Sequence, residues 1–254
     1  MCYDHDSRPP IPPIAGGALD ARKIDLDAAD GNHFAAYIAK AAEPSGAGIV
    51  ILPDVRGLHA FFEDLALRFA ENGIDAIAID YFGRTAGIGD RGPGFDYQEH
   101  LPLMTFDGNR ADIDVAIDTL RAETGVERVY AIGFCMGGRL SFLSGTFDKD
   151  LAGVIGFYGW PVGAHRTGSP APADVAGEIK SPVLAIFGGA DEGIQPAMVE
   201  TFETSLDAAG VPHTVTVYPN APHGFFDRKA DEFSTTSTKA WDEVLGFIRG
   251  GAAA

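Results

Sequence analysis

Cysteine is scarce in this chain: Cys2 and Cys135 are the two it holds in 254 residues. Two cannot build a disulfide framework, and one of them lies in a Pro-rich N-terminal stretch. Basic residues are short as well, with 19 Lys and Arg against 36 Asp and Glu and a formal net charge of -17. Nucleic acid requires a basic face, so that class of partner is excluded and a small molecule is the expected ligand. No uninterrupted apolar run reaches the length of a membrane span, and "MCYDHDSRPPIPPIAGG" lacks the basic and apolar regions of a signal peptide. A soluble, cytoplasmic protein is the expectation. His5, His33, His59, His100, His165, His213 and His223 show no ligand-like pair spacing. Neither a metal nor another cofactor is therefore expected. Monomer and dimer both stay open.

What is present is a hydrophobic fraction of 46% arranged in alternating patterns, enough for a sizeable core. Residues 1–17 read as an extended leader, because its prolines remove donors and resist helix formation. "KIDLDA" and "HFAAYIAK" predict a hairpin around "ADGN". From "AGIVILPD" at 47–54 onward, apolar runs alternate with segments whose apolar residues recur at helical spacing. The pairs are "HAFFEDLALRFAEN" with "GIDAIAIDYFG", "NRADIDVAIDTLRAET" with "RVYAIGF", and "MGGRLSFLSG" with "GVIGFYG". "PVLAIFGG", "MVETFETSLDAAG", "HTVTVYP" and "TKAWDEVLGFIRG" complete the series. Fully apolar strands separated by helices predict a single α/β domain over 18–254, a mostly parallel sheet with helices on both faces. The glycine-rich stretch from Gly83 to about Phe106 has two readings, a lid over the site or a surface excursion with a short helix.

"GFCMG" places Cys135 between Gly133 and Gly137, after a strand and before a helix. A Gly-x-nucleophile-x-Gly elbow needs those glycines because larger neighbours would collide with the backbone of its sharp turn. The helix start also favours thiolate over thiol. A buried structural cysteine fits the same turn, so the partners matter. In chain order the elbow hydrolases have nucleophile, acid and histidine. "PVLAIFGGAD" delivers Asp191 beyond a strand end, and "HTVTVYPNAPHGF" delivers His223 beyond the next. Asp191 as a helix cap and His223 as a plain loop histidine are the bland alternatives. His213 starts its strand at the wrong end for an active site.

Together "GFCMGG", "GGADEGI", "APHGF", "LPDVRGL" and "IDYFGR" resemble the dienelactone hydrolase family, thiol members of the α/β-hydrolase fold, from about Ile49 to the C-terminal helix. The resemblance implies Cys135 as nucleophile, His223 as general base, Asp191 as its partner, and the N–H groups of Met136 and Val55 as an oxyanion hole. It also implies a role for Asp54, which stands where the family has a glutamate that engages the resting thiol; Asp54 is one methylene shorter. Arg84 matches one of the family's arginines for a substrate carboxylate. At the other such position the chain has Asp227, with Arg228 one place later. Arg56, beside the oxyanion loop, reads as a further cation or simply as a surface arginine. The implied activity is hydrolysis of a lactone or carboxylic ester through a thioester acyl-enzyme. Two other readings stay open: a broader carboxylesterase or thioesterase, and a non-hydrolytic binding or redox-responsive protein in which Cys135 is an oxidisable thiol.

Overall fold

A computed structural model describes residues 6–227 and 232–250. Its first regular elements are the expected hairpin, β1 (Ala18–Asp27) and β2 (His33–Ala41), paired antiparallel. Then come β3 (Ala47–Leu52), α1 (Ala60–Glu71), β4 (Ile74–Ile79), two short helices α2 (Gly83–Ala86) and α3 (Tyr97–His100), and α4 (Phe106–Thr124). β5 (Arg128–Phe134), α5 (Met136–Ser144), β6 (Gly153–Phe157), β7 (Val183–Gly188), α6 (Pro196–Ala209), β8 (His213–Tyr218) and α7 (Ser234–Gly250) complete the described chain. The eight strands form one sheet in the order β1-β2-β4-β3-β5-β6-β7-β8. β2 meets β4 antiparallel, while β4, β3, β5, β6, β7 and β8 run parallel to their neighbours.

Every residue of β3, β4, β6 and β7 is buried, which is why those segments read as apolar runs; the exception is Asp75 of β4, whose carboxylate accepts from the Ala41 N–H at 2.8 Å. Helices supply the covering layers. α1 starts where the His59 ring accepts from the Phe61 N–H at 3.4 Å, and it lays Phe61, Phe62, Leu65, Ala66, Phe69 and Ala70 into the core. Each side chain of Leu or Phe size buried this way contributes about 2 kcal/mol. α4 starts one turn earlier than its periodicity suggested, because the Thr105 hydroxyl accepts from the Gly108 N–H at 3.1 Å. It stops at Gly125, whose φ of 74° is a left-handed cap.

The sheet order carries a functional consequence. From β3 the chain moves outward to β4, then crosses back through α4 to β5 on the other side of β3. Loops leaving β3 and β5 in opposite directions open a crevice at the carboxyl ends of the strands, where ligands bind in open α/β sheets.

Residues 6–17 contain no helix or strand and follow α1: Arg8 Nε lies 3.3 Å from Asp64, and the Ile14 N–H donates to Glu71 at 2.9 Å. The glycine-rich stretch after β4 holds α2 and α3 and is pinned from within. Arg91, almost wholly buried, donates to Asp80 at 2.9 and 3.1 Å, and its guanidinium lies 4.5 Å over the Phe95 ring. A second long connection, between β6 and β7, contains a single 3-10 turn at Ala176–Glu178. It lacks periodicity, so no distinct expectation attached to it.

Candidate active site

The elbow is built from collisions that only glycine avoids. A Cβ at Gly133 would lie 1.9 Å from the Gly137 carbonyl oxygen, and one at Gly137 would lie 2.1 and 2.3 Å from those of Leu52 and Pro53. The second pair shows that the first turn of α5 is pressed against the end of β3. Cys135 itself has φ 56° and ψ -113°, a conformation a side chain adopts only under strain. Its N–H donates to the Phe157 carbonyl at 3.0 Å, fastening the turn to the end of β6. The thiol is buried, 6% exposed, against the redox-responsive reading, since redox-sensing thiols are solvent-accessible.

After β3 the chain folds into a tight turn. The Asp54 carboxylate accepts from the Arg56 N–H at 2.9 Å, and the Gly57 N–H donates to the Asp54 carbonyl at 3.2 Å. Val55 thus sits at the apex of a turn adjoining the start of α5. Tyr81, fully buried, donates to the Pro53 carbonyl at 3.0 Å. Burial first, then the charges of Asp54, Asp80 and Cys135, raise its pKa well above the ordinary value. Asp54 and Cys135 therefore both lie close enough for their charge to act on this phenol.

Asp191 and His223 come together at the ends of β7 and β8, with Nδ1 of the ring 2.7 Å from Oδ2 of the carboxylate. The other oxygen, Oδ1, accepts from the N–H groups of Gly193 at 2.8 Å and Ile194 at 3.1 Å. Burial opposes ionisation of Asp191, but the bond and charge of His223 and those two N–H groups outweigh it and lower the pKa. An ionised carboxylate only accepts, so the ring proton sits on Nδ1 and Nε2 is left as the basic nitrogen. The rings of Tyr158 and Trp160 pack against the imidazole with centroids 5.0 and 4.8 Å away. Phe134, the residue before Cys135, stacks on Phe226 at 5.7 Å, so elbow and histidine loop share one aromatic cluster.

Arg84 is placed otherwise than expected. Its Nη2 donates to Asp112 at 2.8 Å and to Asp30 at 3.0 Å, its Nε reaches Asp112 at 3.3 Å, and its Nη1 faces Asp30. A guanidinium already matched to two carboxylates is spent on tying the hairpin turn to α4. These contacts give Arg84 a structural role, and its expected role as a substrate cation stays a proposal. Arg84→Met should lower unfolding free energy by about 3 kcal/mol, because the Asp112 side chain is fully buried and would lose its cation. Urea denaturation measures the loss; an unchanged midpoint with a tenfold higher KM would favour the substrate role.

Arg56 is 6% exposed, so the surface reading is overturned. It lines a cavity of about 310 Å³ with Arg91 and residues 92–97. Asp227 is fully buried, four residues past His223 and next to Phe226. Arg228 and Cys2 lie outside the described residues. Sequence reasoning missed Tyr158, whose φ of 38° marks strain beside the histidine, along with Trp160, Tyr81 and Arg139. Of these, the aromatic "FYGW" following a buried strand was the one available signal. Among the described residues no cluster of His, Cys, Asp and Glu suits a metal ion, and no helix is long and apolar enough to cross a membrane.

Comparison with known proteins points to one family. The model of the dienelactone hydrolase family matches residues 34–250. A Salmonella typhimurium protein named "Putative carboxymethylenebutenolidase" is 29% identical over 235 residues, 90% of this chain and 87% of its own length. A Bradyrhizobium protein named "Probable 2-oxo-3-(5-oxofuran-2-ylidene)propanoate lactonase" is 24% identical over 240 residues, 89% of this chain and 94% of its own. Among solved structures, a "Putative Dienelactone Hydrolase" from Klebsiella pneumoniae superposes with a TM-score of 0.79 at 26% identity, covering 91% of this chain and 99% of that one.

Proposed function

As the chain belongs to the dienelactone hydrolase family and is a hydrolase, we propose that it cleaves a lactone or carboxylic ester with Cys135 as nucleophile, His223 as base and Asp191 as orienting acid. The observation that carries the reading is the Asp191–His223 contact of 2.7 Å on the two strand ends that follow a strained Cys135 elbow. A capping aspartate would have no need of the imidazole, and a loop histidine no need of the carboxylate.

In the proposed sequence, Nε2 of His223 accepts the thiol proton and Cys135 Sγ forms a bond to the acyl carbon. The carbonyl π pair moves to oxygen, where the N–H groups of Met136 and Val55 donate to it. Losing one such donor typically raises the barrier by about 3 kcal/mol. Collapse expels the alkoxide, which takes the proton from His223, and leaves a thioester. Water, deprotonated by the same nitrogen, then releases the acid and restores the thiol. Asp54, buried at the end of β3 against which the elbow packs, is proposed to hold that thiol at rest.

The reading is tested by trapping. Rapid quenching with an activated aryl ester, followed by peptide mass spectrometry, should find the acyl group on the peptide containing Cys135. Acylation elsewhere, or turnover with no acyl-enzyme and no initial burst, would sink it. Paired rates on a carboxylate-bearing enol-lactone and its neutral ester separate the parent substrate class from a broader carboxylesterase. Preference for the anion would call for a cation at the site, with Arg84, Arg56 and Arg228 the candidates.

A further inference from the structure

Arg139 lies one turn beyond Cys135 on α5 and is 2% exposed. Its N–H continues the helix from the Cys135 carbonyl at 3.2 Å, so its backbone is fixed to the elbow. The side chain points into the long connection after β6. Nε donates to the Ser169 hydroxyl at 2.9 Å, Nη1 to the Trp160 carbonyl at 3.0 Å, and Nη2 to the Gly163 and Pro170 carbonyls at 2.8 Å each. Longer bonds reach the carbonyls of Val162 at 3.4 Å and Ser169 at 3.3 Å. Burial lowers its pKa to about 10, with the Asp174 charge opposing, so the group stays cationic at neutral pH. A buried cation solvated by loop carbonyls binds that loop far more tightly than neutral hydrogen bonds would, because charge-assisted bonds are roughly twice as strong.

What the clamp holds is Trp160. Its ring packs on His223, and its Cζ2 lies where a Cβ at Gly193 would meet it at 2.8 Å. Gly193 is the residue whose N–H donates to Asp191. One indole thus presses on the base and on the backbone that orients the acid, while its own backbone hangs from Arg139. Gly159 makes the same junction close, since a Cβ there would lie 2.4 Å from the Arg139 nitrogen.

We infer that Arg139 is a positioning residue for the acid–base pair: by clamping the connection after β6 it holds Trp160 against His223 and Gly193. The inference rests on the assignment of Cys135, Asp191 and His223 above. It is tested by a double-mutant cycle in the full chain, with Arg139→Met, Trp160→Leu and the pair. Each single change is expected to lower kcat about 30-fold, in the range that small misplacements of a reacting group produce, with KM moving less than about threefold. The double variant should lose no more than the larger single loss. The acid limb of the pH profile should move to higher pH in both, because water admitted beside His223 favours the imidazolium.

Arg139→Gln, which keeps part of the carbonyl binding, should retain more activity than Arg139→Met. Near-ultraviolet circular dichroism checks that each variant is folded. Wild-type kcat in folded Arg139→Met, multiplying losses in the double variant, or an unmoved acid limb would each overturn the clamp. If neither Arg139 variant folds, Trp160→Leu decides alone: it leaves the backbone carbonyl that Arg139 binds, and wild-type kcat there overturns the inference. Failure of the catalytic assignment is distinguishable, since hydrolysis would then survive in Cys135→Ala whatever the Arg139 variants do.

Discussion

Cys135→Ala should lower kcat/KM for ester hydrolysis roughly ten-thousand-fold or more, the scale on which nucleophile removal acts in triad enzymes. The fold should survive it. The lost sulfur is a single atom in a buried site, so the cavity cost is about 1 kcal/mol, and the backbone strain at φ 56° is the same for alanine as for cysteine. The glycines that admit the turn are untouched. Residual hydrolysis would come from the N–H groups of Met136 and Val55, which a side-chain deletion does not remove. Steady-state rates on an aryl ester, with a urea midpoint measured beside them, check both halves. A folded Cys135→Ala enzyme at wild-type rate would end the nucleophile assignment.

Asp191→Asn should cost roughly a thousand-fold in kcat/KM at neutral pH, and the reason lies in the second oxygen of the carboxylate. Oδ1 accepts from the N–H groups of Gly193 and Ile194. In asparagine those two donors would capture the amide oxygen and turn the NH2 group toward His223. Nδ1 would then have to accept, Nε2 would carry the ring proton, and the base would be in the wrong tautomer for the thiol. The loss should shrink toward alkaline pH, where the thiolate forms without help from the imidazole. A loss that stays constant across pH would contradict the tautomer argument.

The same substitution should flatten the acid side of the stability curve. Asp191 has a folded pKa below its ordinary carboxylate value. Its ionised form therefore stabilises the fold fully above about pH 4, and that contribution disappears as pH falls through the lowered folded value. Asparagine has no such proton to bind. Urea midpoints from neutral pH down to about pH 3 should fall less steeply for the variant than for the wild type.

How much of this was legible in the sequence depended on whether the deciding partner was local. The elbow was legible because its requirement is written in neighbours: Gly133 and Gly137 are where the turn collides with itself and with the end of β3. The positions of Asp191 and His223 were legible because the buried run of β7 and the alternating pattern of the half-exposed β8 each announce a strand end, and residues placed just past those ends lie on one edge of a parallel sheet. The ion pairs of Arg84 were not legible because Asp30 and Asp112 come from a hairpin turn and a helix far apart in the chain. Arg56 was misread as superficial because burial of a single charged side chain leaves no periodic trace. Arg139 reads as an ordinary polar position on a helix. Its acceptors are backbone carbonyls of a connection without periodicity, and carbonyls are the same whatever the sequence.

The order of the strands in the chain has one more consequence, for the protein during its own synthesis. Cys135 follows β5, while Asp191 and His223 follow β7 and β8. On the proposed assignment, a growing chain on the ribosome therefore carries the thiol well before the groups that arouse it. Until β8 has docked beside β7, the proposed base His223 is not held at the sulfur, so the half-made polypeptide lacks the triad that would activate its thiol. On that assignment, strand order alone keeps the thiol unaroused until the last of the eight strands is in place.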